Sequence, residues 1–81
     1  MIVFNHLDTG MTYLIPHEGR RIDDIVVVGS KLKLSTNEIV EFQQRESAEQ
    51  VWYLLDECFR KGWKRLTFSE SAGMTYSMYN D

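Results

Sequence analysis

Short runs of alternating apolar and polar positions fill the first half of the chain, and a single apolar stripe at helical spacing follows them. Ile2-Val3-Phe4-Asn5-His6-Leu7 is rich in β-formers and predicts a strand. Asp8-Thr9-Gly10 is a turn signal, and Met11-Thr12-Tyr13-Leu14-Ile15 completes a hairpin. Pro16 ends that strand, and a loop runs to Gly19. After the pair Asp23-Asp24, Ile25-Val26-Val27-Val28 predicts the next strand. Gly29-Ser30 fits a type II′ hairpin turn, with a bulge at Gly29 in one long strand as the alternative. Lys31-Leu32-Lys33-Leu34 alternates cleanly, as a strand with one wet face does. Ser35-Thr36-Asn37 then reads as a three-residue loop, with Asn37 in the left-handed position such loops require. Parity supports that length: it sets Leu32 opposite Val40 on one face, whereas a two-residue loop would set Leu32 against Glu41. The returning strand is Ile39–Gln43.

Ser47-Ala48-Glu49-Gln50 has the spacing of a capping box, with Ser47 as N-cap and Gln50 reaching back. Ala48, Val51, Trp52, Leu55, Cys58 and Phe59 make one apolar stripe. Asp56–Arg60 and Glu57–Lys61 are acid-before-base pairs on the wet side, and Gly62 is a helix stop with Trp63 as its apolar clasp. A helix over Ala48–Lys61 follows. Leu66–Ser69 predicts a strand, and Met74–Tyr79 either a last strand or an ordered tail, so that residues 70–81 form an edge strand or an interaction tail of one 81-residue domain. Gly-Met-Thr-Tyr occurs at residues 10–13 and again at 73–76; with no longer similarity around either copy, two strand openings under like constraints or coincidence account for it. The expected fold class is α+β: a small, mostly antiparallel sheet of five to seven short strands, joined by hairpins and packed against one helix.

Charge narrows the function classes. Twelve acids against nine bases leave a net charge of −3, spread along the chain, which weakens both broad electrostatic binding to nucleic acid and a full DNA mimic. One cysteine excludes an internal disulfide, and one cysteine with two histidines cannot build a four-ligand structural zinc site. Met1–His6 lacks the basic and long apolar regions of a signal peptide, and no apolar run approaches a membrane span, so a cytoplasmic location without membrane association is expected, in the host if the chain is phage-encoded. No cofactor is implied. A domain this small is marginally stable alone, so a homodimer would help it.

Candidate chemistry is sparse. His6 and His17 lack any acid–His or metal spacing and are expected to be partly exposed polar side chains. Cys58 lies on the apolar stripe and reads as core rather than as a nucleophile. Gly29-Ser30-Lys31 lacks the upstream glycine and following helix of a phosphate loop. Asp23 and Asp24, like Glu38 and Glu41, differ in parity and read as solvated charges. Arg60-Lys61-Gly62-Trp63-Lys64-Arg65 is the one basic cluster; cations suit a helix C-terminus, but the same residues can grip a phosphate backbone while Trp63 stacks on a base. Met74–Tyr79 has two Met, two Tyr and no charge, a composition common at protein interfaces.

A non-catalytic regulator or inhibitor that binds another protein is therefore expected. Tyr53, Trp63, Tyr76, Met78 and Tyr79 would supply the contact surface, with Arg60, Lys61, Lys64 and Arg65 at its rim. In size and style the chain resembles accessory proteins of phages and mobile elements, which implies a host or defence enzyme as target. The alternative is a nucleic-acid-binding module built on the basic cluster around Trp63. A third possibility is a small enzyme or toxin with a site around His6, His17 and Asp23-Asp24.

Overall fold

The computed structural model describes residues 1–80. Seven short strands and one long helix follow in the order β1 (Ile2–His6), β2 (Met11–Ile15), β3 (Val26–Val28), β4 (Lys31–Lys33), β5 (Ile39–Glu41), α1 (Arg45–Lys61), β6 (Arg65–Ser69) and β7 (Thr75–Tyr79), with a single 3-10 turn at Ile22–Asp24 before β3. The α+β class expected from the pattern is the observed one. The strands divide between two sheets: four in the order β2-β1-β6-β7 and three in the order β3-β4-β5. All pairs are antiparallel except the central β1–β6 pair, which is parallel. A parallel pair needs a long crossover; here β2, the small sheet and α1 all lie within it.

The hairpin turns follow from their residues. Gly29 has φ 62° and Val28 pairs with Lys31, so Gly29-Ser30 is a two-residue turn rather than a bulge. Asn37 has φ 72°, and Leu32 pairs with Val40, as parity requires. Of the expected segment Met74–Tyr79, residues 75–79 form a strand, β7, rather than a free tail, and Met74 belongs to the turn before it; the last residue of the terminal segment, Asp81, lies outside the described residues.

One face of the four-stranded sheet is the core face. Its rows are Tyr13–Phe4–Leu66–Met78 and Met11–His6–Phe68–Tyr76. Against it lie Val51, Leu54, Leu55 and Cys58 of α1 and Leu32, Leu34, Val40 and Phe42 of the small sheet and its flanks, in one cluster. The Trp52 indole N–H donates to the Ile25 carbonyl at 2.7 Å and fastens α1 to the start of β3. Among the described residues the opposite face carries no second layer. Its middle row is Thr12–Asn5–Thr67–Ser77, in which Thr12 donates to Asn5 at 2.9 Å and Asn5 to Thr67 at 3.2 Å.

The helix starts earlier than the capping-box spacing predicts. Gln44 is the N-cap, and Ser47 sits inside the first turn, fully buried. The cap comes from far along the chain: the Glu70 carboxylate accepts the Gln43 and Gln44 amides at 2.9–3.0 Å. Burial pushes the Glu70 carboxyl up, but the Ser47 hydroxyl and these two amides outweigh it, and the net shift is downward despite Asp8 nearby. The Ser47 hydroxyl makes no hydrogen bond of full geometry, so its part is that of a dipole facing the charge. Gly62, at φ 77°, ends the helix as expected, its amide reaching the Cys58 carbonyl at 2.9 Å. Removing the distant cap with Glu70→Ala is expected to lower stability by about 1–2 kcal/mol at neutral pH. Glu70→Gln, which keeps an acceptor, should lose less, and urea denaturation checks both.

Candidate protein-binding edge

β7 is an outer strand of the four-stranded sheet, with no strand beyond it among the described residues. The Lys64 and Phe68 carbonyls accept the Val3 and Leu7 amides at 2.9 and 3.0 Å, so the even-numbered backbone of β6 faces β1 and the odd-numbered backbone faces β7. By register, residues 75, 77 and 79 then bond β6, and Tyr76 and Met78 turn their amides and carbonyls outward. The strand Thr75-Tyr76-Ser77-Met78-Tyr79 has no charge and no proline, the two common devices that blunt an edge.

β2, the opposite edge, is equally uncharged, but the two edges are not equivalent. Tyr13 of β2 points to the core face and is 8% exposed. Burial, followed by Glu38 and Glu41 on and beside β5, raises its pKa. Tyr76 of β7 points to the same face and is 50% exposed. Cover on the core face thus spans the Tyr13–Phe4–Leu66–Met78 row and thins along the Met11–His6–Phe68–Tyr76 row, whose two edge residues are both half-exposed. Met78 marks the limit: it is half-buried, with its sulfur 3.9 Å from the Cys58 thiol.

The turn into β7 is clamped by one carboxylate. Asp8 accepts the Glu70 amide at 2.7 Å, the Ser71 amide at 3.0 Å, the Ser69 hydroxyl at 3.3 Å and the Ser71 hydroxyl. The Ser71 hydroxyl, opposed by partial burial and then aided by the two amides and His6, holds the Asp8 carboxyl well below the usual carboxylate range. Behind Asp8 lies His6, which corrects the expectation of a partly exposed histidine: it is 2% exposed. Its ring sits between Phe4 and Phe42, Nε2 is 3.3 Å from Asp8 Oδ2 but off the hydrogen-bonding direction, and Nδ1 is 3.3 Å from the Thr9 hydroxyl. The parity of β1 places residue 6 on the same face as Ile2 and Phe4, and that was the available signal. Asp8 gave none beyond its turn, because its partners lie more than sixty residues on.

The sequence-predicted contact residues fall into two groups. Tyr76, Met78 and Tyr79 share β7, and Trp63 lies beside its end, since the neighbouring Lys64 amide donates to the Tyr79 carbonyl at 2.9 Å. Trp63 is half-buried against the core, so its ring does not stand free as a stacking platform. Tyr53 is separate: it stands on the side of α1 turned away from the sheets, edge-on to Trp52 at 5.3 Å. Of the basic cluster, Arg60 pairs with Asp56 at 3.2 Å, Lys61 and Lys64 are exposed, and Arg65 is half-buried in β6. Cys58 is buried, and burial pushes its thiol up to about 11, an inert state at neutral pH. His17 meets the N-terminal amine at 2.8 Å on the surface, and Asp23 and Asp24 lie exposed in the 3-10 turn, so neither joins His6 in a shared cleft. No cluster of three or more potential metal ligands occurs among the described residues, and no helix there is long and apolar enough to cross a membrane. Comparison of the chain with protein-family models, with curated proteins and with solved structures yields no match.

The Asp8 clamp has a pH signature. A carboxyl with a lowered folded-state pKa binds fewer protons folded than unfolded, so its stabilisation is complete above the ordinary value of 3.8 and fades as pH falls below it. Asp8→Asn should destabilise the protein at pH 7 by about 1–3 kcal/mol, the scale of a charged hydrogen-bonding group lost. The gap between variant and parent should narrow as the pH drops from 5 towards 2 (pH values of about this order, set by the carboxylate range), as read by urea denaturation at each pH.

Proposed function

We propose that this protein is a non-catalytic regulator or inhibitor that acts by binding another protein, and that β7 is its contact edge. The observation that carries the proposal is the half-exposed pair Tyr76 and Tyr79 on an uncharged outer strand whose Tyr76 and Met78 backbone groups are unpaired by register. A strand of this kind recognises a partner by adding it to the sheet: backbone hydrogen bonds give affinity, and alternate side chains give selectivity. Tyrosine supports this role because it offers a large, stiff contact area with a polar tip. Lys61 and Lys64, near the Tyr79 end, supply a cationic rim suited to an acidic partner surface. The small size and dispersed charge also suit an accessory protein of a phage or mobile element that blocks a host or defence enzyme, acting in the host cytoplasm.

The test is affinity capture with the tagged chain from nuclease-treated host lysate. A stoichiometric protein partner is expected, and the double variant Tyr76→Ala/Tyr79→Ala should weaken its binding at least tenfold, the scale of about 1–2 kcal/mol for central aromatic contacts. Circular dichroism of the variant should match the parent, since both side chains are half in solvent. Undiminished binding by the double variant would remove β7 from the contact. Loss of all captured material on nuclease treatment would transfer the function to Lys61, Lys64 and their neighbours as a nucleic-acid site.

A further inference from the structure

The contact edge proposed above is self-complementary, and we infer that in the free protein it is occupied by β7 of a second copy, across a two-fold axis at Ser77. This rests on β7 being an interaction edge and adds which partner fits it first. The outward backbone groups belong to Tyr76 and Met78. An antiparallel pair centred on Ser77 sets Tyr76 opposite Met78 of the second copy and Met78 opposite its Tyr76. Both are hydrogen-bonded positions, so four backbone bonds close the seam. Ser77 then faces Ser77 at a non-hydrogen-bonded position, where close approach suits small side chains. Thr75 faces Tyr79, a small residue against a large one.

Three further features favour a copy of the same chain. First, the strand has no charge, so two-fold pairing places no like charges opposite one another. The basic residues beside Tyr79 go to opposite ends of the seam, with the two Tyr79 positions roughly 13 Å apart at the usual rise per residue. Second, the pairing supplies the cover that the core face lacks. Tyr76, half-exposed on that face, would lie over the thioether of Met78 from the second copy, a favourable ring–sulfur contact. Third, parity keeps the faces in register, so both open faces, with Ser77 in the Thr12–Asn5–Thr67–Ser77 row, stay on one side of an eight-stranded sheet. On the β2 edge Tyr13 is covered, and the half-exposed residue in the row of Tyr76 is Met11, a flexible chain rather than a ring. A single five-residue seam is small beside the roughly 1,200 Å² of a standard interface, so the dimer is reversible and yields the edge to a tighter partner.

Sedimentation of the purified chain over micromolar to millimolar concentrations, together with cross-linking by diamide, tests this. The weight-average mass should rise from 9.5 kDa towards twice that value and no further. Ser77→Cys should give a covalent dimer in high yield, because Cα atoms at a non-hydrogen-bonded pair lie within disulfide reach. Thr75→Cys should not, since its copies stand roughly 13 Å apart. Cys58 is buried and does not compete. Ser77→Lys, which opposes two cations at the axis, should keep the parent circular dichroism and stay monomeric across the whole range. A parent chain that remains monomeric at millimolar concentration would overturn the inference. So would equal cross-linking of both cysteine variants, or growth past a dimer, which indicates β7 meeting β2 of the next copy. The capture experiment with Tyr76→Ala/Tyr79→Ala is independent of these outcomes, so a monomeric chain would leave the partner-binding role standing.

Discussion

The Asp8 carboxylate links parts of the structure that nothing local would bring together. It sits in the turn between β1 and β2 and collects the Glu70 and Ser71 amides of the turn between β6 and β7. The two hairpins flank the parallel β1–β6 seam, so one side chain fixes their turns side by side. Holding Glu70 in place also delivers its carboxylate to the Gln43 and Gln44 amides at the start of α1. Sheet, turn and helix origin are thus joined through two acids acting in series. Each acid keeps its charge because amides and hydroxyls converge on it, with His6 a lesser contributor at Asp8.

This clamp governs the edge as well. β7 begins after Gly73 and Met74, at φ 77° and 59°, and a left-handed Met costs about 1 kcal/mol or more relative to ordinary backbone. The Asp8 bonds, the Met74 amide on the Glu70 carbonyl and the packing of Met74 on the core offset that cost. β7 itself contributes one half-buried side chain, Met78, to the interior. Its position therefore depends on its ladder to β6 and on its turn rather than on apolar burial, which leaves its tyrosines free for contacts outside the chain.

Much of this was legible because it is local. Period-two alternation located the strands, Asn37 specified one hairpin turn while Gly29 fitted a turn or a bulge, and parity paired Leu32 with Val40. The helix stripe and its Gly62 stop were legible for the same reason. What was missed is long-range. The cap of α1 comes from Glu70, so the local Ser47–Gln50 signal marked a start three residues late. The partition into two sheets and the parallel seam depend on which strands meet across the crossover, and no turn signal encodes that. Among the contact candidates, Tyr76, Met78, Tyr79 and Trp63 came together because three share a strand and the fourth leads into its neighbour. Tyr53 was grouped with them on composition, which carries no direction; its helical phase opposes the buried stripe.

The repeated Gly-Met-Thr-Tyr acquires a physical meaning from the topology. Both glycines are left-handed, at φ 74° and 77°, and both copies open an outer strand of the same sheet, β2 and β7, each preceded by a turn that Asp8 builds or clamps. Similar backbone demands thus account for the likeness without duplication. The two tyrosines, though, meet different fates on one face: Tyr13 is buried, while Tyr76 is half-exposed. Two equivalent open edges would favour head-to-tail growth, since β7 of one copy could always find β2 of the next. The two edges differ in what they expose on that face: a methionine, Met11, on β2 and a ring, Tyr76, on β7. Pairing of β7 with β7, or with a partner's strand, would close after a single event, whereas β7 meeting β2 of the next copy would not.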